Sequence, residues 1–297
     1  MGKKTTIVVH SGGFHADDIF AVATLLLVLG DGADVSVVRT RDMEIIEKAD
    51  YVADVGDVYD ESKNRFDHHQ IGGAGVRPNG IPYASFGLVW KKYGESLCDG
   101  KEIAEKIDQV LVQPNDAVDS GVKITEPIFD GIYPYNTYDF FDALLPSWKE
   151  EDTDTDGVFL SAVSYAKIIL EREIKRRKDS EEARQIVIRE YEKSHDKRLI
   201  VFDRYYPSGE VLMEFTEPLF RIYPRKEGTW AIEGVKVDNN SFDRRKYLPE
   251  SWAGKTNEEL EKVTGVAGAA FCHIGRFIAV AKTKEAILKL AEIALNS

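Results

Sequence analysis

The sequence predicts an α/β fold with a parallel sheet in its N-terminal part, a connecting helix and a smaller C-terminal α+β domain. Over the first 55 residues, short apolar, β-branched segments alternate with helical segments. This alternation is typical of a parallel sheet that is covered by helices. Beyond about residue 195 the pattern changes to several short strands with helices at the end, as in many α+β domains. We therefore place the domains at residues 1–195 and 196–297.

The N-terminal elements follow one another as strand, helix, strand, helix and strand. Thr5–His10 is β-branched and apolar, which predicts a buried strand. Asp17 and Asp18 suit the positive end of a helix that Gly30 ends. In chain order the predicted elements are the strand Thr5–His10, the helix Asp17–Leu29, the strand Val35–Arg39, the helix Asp42–Lys48 and the strand Tyr51–Val55.

The middle of the chain combines a glycine-rich loop, Gly72–Pro82, with segments in which apolar residues recur at helical spacing. The last of these segments is long and highly charged and predicts a connecting helix, either continuous or broken near Asp179-Ser180. The predicted helices are Ala84–Tyr93, Glu102–Val112, Asp139–Leu145 and Val158–Lys193.

The C-terminal part contains short runs of β-branched and aromatic residues, which predict strands. Thr256 begins a capped helix, Thr256–Val263, and a final helix spans Lys284–Leu295. The predicted strands are Leu199–Asp203, Val211–Thr216, Phe220–Tyr223, Trp230–Val235 and a pair within Ala269–Ala281.

Composition limits the class of protein. The chain has 297 residues, with 39 Lys and Arg against 51 Asp and Glu, so its net charge is −12. Stable duplex-binding proteins are normally basic, although metal ions and a local basic patch can reverse the field at a phosphate site. Cys98 and Cys272 argue against a disulfide framework. Because no signal segment or long apolar segment is present, we expect a cytoplasmic protein without a membrane partner.

Histidines and carboxylates are concentrated near the N-terminus. Four of the six histidines (His10, His15, His68 and His69) lie in the first 69 residues, each within a few positions of a carboxylate. Because ligands collect at the carboxyl ends of parallel strands, we expect these side chains to meet at one edge of the sheet. Imidazoles mixed with carboxylates suit Mn²⁺, Zn²⁺ or Fe²⁺ better than Ca²⁺. This pattern favours metal-assisted hydrolysis.

A site for two metal ions needs one bridging carboxylate and further ligands for each ion. Asp54 ends a strand between the other candidates and is the expected bridge. His69 would contact a substrate phosphate or move a proton. Asp67 would orient a histidine, and Asp18 would either orient a histidine or stabilise the helix N-terminus. The expected metal ligands are His10, His15, Asp17, Asp54, His68 and Asp116. Taken singly, each could be a turn or cap residue, and the choice between Asp116 and Asp119 stays open.

The second domain offers candidates for binding phosphate. Arg245 and Arg276 can bind phosphate bidentately, and His273 ends an apolar strand. The alternatives are a solvated turn for Arg245 and a hydrogen-bonded strand-end histidine for His273.

The motifs resemble a known group of enzymes. Asp67-His68-His69, preceded by His15-Ala16-Asp17 and by Asp54, resembles the DHH phosphoesterase superfamily. Further motifs narrow the resemblance to the MYG (melanocyte proliferating gene) family, and it extends over nearly the whole chain. These motifs include His10–Asp18, Asp54–Gly56, Arg65–Gln70, Ser85–Trp90, Asp116–Gly121 and Phe271–His273.

The resemblance implies a DHH-type catalytic domain at residues 1–195 and a substrate-binding domain at 196–297. It implies two divalent ions, with Mn²⁺ preferred and Mg²⁺, Zn²⁺ or Fe²⁺ as alternatives. His10, His15 and Asp54 would bind one ion, and the second would be bound by Asp17, Asp54, His68 and Asp116. The superfamily more often has aspartate where this chain has His15, which makes one site richer in nitrogen.

The expected function is a two-metal phosphodiesterase, a 3′–5′ exoribonuclease that hydrolyses single-stranded or short RNA. Two alternatives stay open. The first is a small-molecule phosphohydrolase that acts on pyrophosphate, a short oligonucleotide or a cyclic dinucleotide. The second is a non-enzymatic regulator that keeps the metal site for ligand binding. RNA or an oligonucleotide is the expected partner, and homo-oligomerisation is left open.

Overall fold

The computed structural model describes residues 4–150 and 153–297. The first three residues of the predicted N-terminal domain lie outside this range, as do residues 151–152. The chain divides into two units, Met1–Lys178 and Asp179–Ser297. Each unit contains its own five-stranded sheet, and we describe the units separately.

The sheet of the first unit is mostly parallel. Its strand order is β2-β1-β3-β5-β4, and only β4 runs antiparallel to its neighbour. The prediction of an α/β fold is therefore confirmed for this sheet. Periodicity did not reveal β4 and β5, because each has only two residues. The strands are β1 (Thr5–Val9), β2 (Val35–Arg39), β3 (Tyr51–Ala53), β4 (Tyr59–Asp60) and β5 (Arg65–Phe66).

Helix α1 is the centre of the first unit and is buried from Ala16 to Leu25. On this helix, Phe20 stacks on Phe86 at 5.0 Å between ring centroids and meets Phe141 edge-on at 5.5 Å. The packing therefore fixes α1 against α3 and α6. The helices are α1 (Ala16–Leu29), α2 (Met43–Lys48), α3 (Ser85–Cys98), α4 (Lys101–Ile107), α5 (Gln113–Asp119) and α6 (Thr137–Asp142), with a π-helical turn, Asp108–Val112, between α4 and α5.

Helix α7 (Thr155–Lys193) continues for 39 residues without interruption. Of the two alternatives, the helix is therefore continuous through Asp179-Ser180. It contains no proline, and its charged side chains pair along its surface, as Arg176 does with Glu173 at 3.0 Å. The boundary between the two units falls within α7. Neither this helix nor any other in the described ranges is apolar over enough length to cross a membrane.

The second unit contains a mixed sheet in the order β6-β7-β8-β10-β9, with only β6 and β7 parallel. The predicted strand Val211–Thr216 is wrong. Val211 and Leu212 are both buried, which suits a helical turn better than the alternating pattern of a strand. The elements are β6 (Leu199–Val201), α8 (Gly209–Met213), β7 (Phe220–Pro224), β8 (Trp230–Gly234), α9 (Asn257–Thr264), β9 (Ala269–Cys272), β10 (Ile278–Ala281) and α10 (Lys284–Asn296).

Candidate metal centre

Five of the six expected metal ligands lie close together beyond the carboxyl ends of the strands in the first sheet. His10 directly follows β1, and Asp54 directly follows β3. Asp54 has a φ of 57°, a left-handed conformation that Asp and Asn adopt more readily than most residues. This turn ends the strand at Ala53, two residues earlier than predicted, and redirects the chain at the site.

Three overlapping groups of side chains place their ligand atoms within 4.8 Å of one another. Asp54 belongs to two groups: its Oδ2 lies 3.3 Å from Nε2 of His10, and its Oδ1 lies 3.2 Å from Nε2 of His68. A carboxylate whose two oxygens face different histidines has the arrangement of a bridging ligand. The groups are His10, His15 and Asp54; Asp54, His68 and His69; and Asp17, His68 and Asp119.

Two buried polar atoms in this cluster lack a hydrogen-bond partner among the described residues. They are Oδ2 of Asp18 and Nε2 of His68. The His68 nitrogen is only 3.2 Å from carboxylate oxygens of both Asp54 and Asp119, yet it makes no hydrogen bond with either. Buried polar atoms without partners cost about 1–3 kcal/mol each. A divalent cation would satisfy these atoms, so the side chains present fit metal ions.

The electrostatics of the cluster also favour cations. Burial raises the pKa of Asp17 well above its usual range, and repulsion from the carboxylates of Asp119, Asp54 and Asp116 raises it further. Burial lowers the pKa of His10, but the neighbouring carboxylates of Asp18 and Asp54 outweigh this effect and raise it to about 10. In the metal-free chain, protons therefore supply part of the positive charge that the carboxylates require.

The N-terminus of α3 positions two of the carboxylates. Asp17 accepts hydrogen bonds from the backbone amides of Ser85 at 3.0 Å and Phe86 at 2.7 Å. The hydroxyl of Ser85 donates to Oδ1 of Asp54 at 3.1 Å. Sequence reasoning did not identify Ser85 as a site residue. Its position in the first turn of a predicted helix, where free backbone amides attract carboxylates, was the available signal.

Asp67 is buried and orients the histidine pair. Its Oδ1 accepts hydrogen bonds from Nδ1 of His69 and from the backbone amide of His68, both at 2.7 Å. Its Oδ2 accepts one from the amide of Asp57 at 2.6 Å. The side chain of His69 is 55% exposed. Asp67 therefore fixes the ring through Nδ1 and leaves the imidazole partly exposed.

Asp18 combines a structural contact with a contact in the cluster. Its Oδ1 accepts a hydrogen bond from the backbone amide of His15 at 2.8 Å, which caps α1. Its Oδ2 lies 3.0 Å from Nε2 of His10.

The ring of His15 stacks on Tyr138 of α6 with 6.0 Å between centroids.

Asp116 takes a different position from the one expected of a metal ligand. Its fully buried carboxylate pairs with Arg77 at 2.6 Å and accepts a hydrogen bond from the amide of Gly87 at 3.0 Å. A side chain at Gly87 would overlap this carboxylate. Asp119, one helical turn later on α5, lies next to His68 instead. The ligand atoms of Asp119, and not those of Asp116, fall within the grouped side chains, and the assignment of the metal ligand stays a prediction.

The expected phosphate-binding residues of the second unit have other contacts. The guanidinium of Arg245 donates to the carbonyl oxygens of Phe215 at 2.6 Å, Met213 at 2.9 Å and Pro218 at 3.2 Å. These bonds engage both terminal nitrogens of Arg245 with the backbone, and its role in binding phosphate stays a prediction. His273 and Arg276 form the tight turn after β9, where Nδ1 of His273 accepts a hydrogen bond from the amide of Gly275 and Arg276 has a φ of 56°.

A cavity of about 280 Å³ adjoins the cluster and is lined by Asp54, Asp67 and His69. Arg41 and Met43 also line it. Arg41 is exposed and makes no side-chain hydrogen bond or ion pair within the described ranges. It was not among the predicted site residues. Its place two residues after β2, at the carboxyl end of a parallel strand, could have identified it.

Comparisons with known proteins agree with the predicted resemblance. The family model MYG1_exonuc, described as "Uncharacterised protein family (UPF0160)", matches residues 6–295. The MYG1 protein of Dictyostelium discoideum is 30% identical to this chain, over 98% of this chain and 96% of its own length. The MYG1 exonuclease of Homo sapiens is 29% identical, over 96% of this chain and 84% of its own length. No solved structure gives a significant match. Because the family model covers nearly the whole chain, the protein belongs to the MYG1_exonuc family, UPF0160.

Proposed function

We propose that this protein is a metal-dependent phosphodiesterase that removes nucleotides from the 3′ end of single-stranded or short RNA. The sharing of Asp54 between two groups of potential ligands supports a two-metal site. Relatives in human and cattle are named MYG1 exonuclease, which supports a nucleic-acid substrate. Membership of the DHH superfamily and the preference for Mn²⁺ remain predictions.

We assign the ligand roles to His10, His15, Asp17, Asp54, His68 and Asp119. Two divalent ions bound there would supply Lewis-acid activation of water and neutralise the charge that develops on the phosphate. Ser85 and the amides of α3 hold Asp54 and Asp17 in place. His69, oriented by Asp67, presents its free nitrogen at the cavity, where it can donate a proton to the departing oxygen or a hydrogen bond to the phosphate.

Arg41 is our candidate for binding the phosphate that adjoins the scissile bond. It lines the same cavity as Asp54 and His69, and its guanidinium is not engaged by a carboxylate of the described chain. The other charged residues around this cavity (Asp54, Asp57 and Asp67) are acidic. A guanidinium here would offset their repulsion of an anionic substrate.

Replacing Arg41 with alanine is therefore expected to lower kcat/KM by about 10–100-fold, the value of one or two charge-assisted hydrogen bonds. Arg41→Lys should retain a higher kcat/KM than Arg41→Ala, because lysine keeps the positive charge but cannot bind phosphate bidentately. Steady-state kinetics on a short RNA would measure the effect. Lys48→Ala on exposed α2 is the matched control and should behave like the wild type. Equal kinetics of Arg41→Ala and the control would exclude this role.

Digestion of single-stranded RNA in the presence of Mn²⁺ tests the proposed function. With a 5′ label we expect a ladder of fragments that shorten progressively. With a 3′ label we expect early release of a labelled mononucleotide. A chelator should stop both reactions. Fragments from internal cuts, or no cleavage at all, would contradict the proposal.

A small-molecule phosphohydrolase is the second candidate, because a net charge of −12 disfavours long polyanions. Pyrophosphate, dinucleotides and cyclic dinucleotides should be compared with RNA in the same assay. Cleavage of one of these compounds without cleavage of RNA would support this alternative.

A further inference from the structure

A second cavity, of about 220 Å³, lies within the second unit between α8, β8 and the segment that follows β8. Five charged side chains line it: the basic Arg221, Lys236 and Arg244, and the acidic Glu210 and Glu233. Basic side chains therefore outnumber acidic ones in a chain that is acidic overall. None of these five residues was singled out in the sequence.

Within this cavity, Glu233 already has its own cation. Its Oε2 accepts hydrogen bonds from Nη2 and Nε of Arg221, at 2.7 and 3.2 Å, and from the hydroxyl of Tyr223 at 3.1 Å. The remaining Nη1 of Arg221 donates to the hydroxyl of the buried Ser208 at 2.9 Å. Arg221 and Glu233 therefore form a fixed pair of opposite charges.

Among the described residues, Arg244 pairs only with Glu233, the carboxylate that Arg221 already engages. Its side chain is only 9% exposed, and its distance to Glu233 is 3.6 Å. Nη1 donates to the carbonyl of Gly234 at 3.1 Å, whereas Nε is buried without a hydrogen-bond partner in the part of the chain that the structure describes. A side chain at Gly234 would come within 2.8 Å of the carbonyl oxygen of Lys246 and 3.3 Å of the Arg244 side chain, so glycine suits this crowded position. A buried guanidinium lowers the stability of the fold when its hydrogen bonding is incomplete and its carboxylate is shared with another arginine. A bound anion would offset this cost.

The size of the cavity limits which anion it can accept. Its volume of about 220 Å³ is larger than the volume that one water molecule occupies in the liquid, about 30 Å³. It is smaller than the roughly 300–1,000 Å³ of pockets that enclose drug-sized ligands. Arg244 and Lys236 offer donors to an oxyanion, and Asn239 adds a neutral amide. These features suit a phosphate group better than a carboxylate, which has fewer acceptor oxygens.

We propose that this cavity of the second unit binds a phosphate group, either of a nucleotide or as free phosphate. The proposal requires neither the metal centre nor the proposed nuclease activity. Its test can therefore fail or succeed independently of both.

Calorimetric titration of the full-length protein with adenosine 5′-monophosphate and with inorganic phosphate tests the proposal, with Mn²⁺ and after chelation. We expect binding in both states, weakened by about tenfold or more in Arg244→Gln and by less in Lys236→Gln. Arg225→Gln is the matched control, because Arg225 lies outside the cavity and pairs with Glu227 on the surface.

Lys236 is partly exposed, so Lys236→Gln decides the question if Arg244→Gln fails to fold. Tighter binding of the nucleotide would identify a nucleotide end as the ligand, and equal binding would identify free phosphate; either result supports the site. Unchanged affinity in the folded variants, or binding that requires Mn²⁺, would overturn the proposal. A requirement for Mn²⁺ would place the phosphate at the metal centre.

Discussion

Replacing Asp54 with asparagine is expected to abolish measurable hydrolysis and to weaken metal binding by more than about 100-fold. The reason is that Asp54 faces His10 with one oxygen and His68 with the other, so both ions would lose a charged ligand. Loss of residues that only support metal ligands already costs about 10–100-fold in affinity or activity. Asparagine is isosteric and tolerates the left-handed conformation at this position. The fold should therefore persist.

Metal binding by equilibrium dialysis and hydrolysis by gel assay measure these effects. Thermal unfolding of the metal-free protein checks that the variant is folded. Asp31→Asn is a matched control, because Asp31 is an exposed carboxylate of the same unit that pairs with Lys167. If Asp54→Asn binds metal and cleaves substrate as well as this control, Asp54 is not the shared ligand.

Replacing Asp116 with alanine is expected to destabilise the fold by about 1–3 kcal/mol, the usual cost of leaving buried hydrogen-bond donors without their acceptor. The side chain of Arg77 is only 4% exposed and would lose its 2.6 Å contact with Asp116, keeping its 3.1 Å ion pair with Asp108. The amide of Gly87 would lose its acceptor as well. Urea unfolding of the metal-free protein measures this change.

The matched variant Asp119→Ala should show the opposite behaviour. Burial and the charge of Asp54 raise the pKa of Asp119, so its removal should leave the metal-free fold as stable as the wild type. Hydrolysis should nevertheless fall by more than about 100-fold, as expected for a lost metal ligand. Normal stability with lost activity in Asp116→Ala, together with an active Asp119→Ala, would restore Asp116 as the ligand.

The sequence predicted the strands and helices that lead to the site because each has a clear local signal. The β-branched run before His10 and the acidic start of α1 are examples, and β2 has the predicted bounds. The family was predictable for a different reason, since its motifs are spread over the whole chain.

The roles of Asp116 and Asp119 could not be separated in the same way. Both lie in one acidic motif, and the choice depends on the side that α5 turns toward Arg77. That side is fixed by contacts 39 residues apart in the chain. The charge balance around Arg244 likewise depends on the pairing of Arg221 across the sheet with Glu233. Local patterns contain no information about either contact.

We propose that one cluster of histidines and aspartates binds two ions that share Asp54. Electron paramagnetic resonance of the Mn²⁺-loaded protein tests it most directly, because ions about 3.5–4 Å apart in such a site couple magnetically. We expect two ions per chain and a spin-coupled spectrum, which Asp54→Asn replaces with the signal of isolated Mn²⁺. A single uncoupled ion in the wild type would contradict the account.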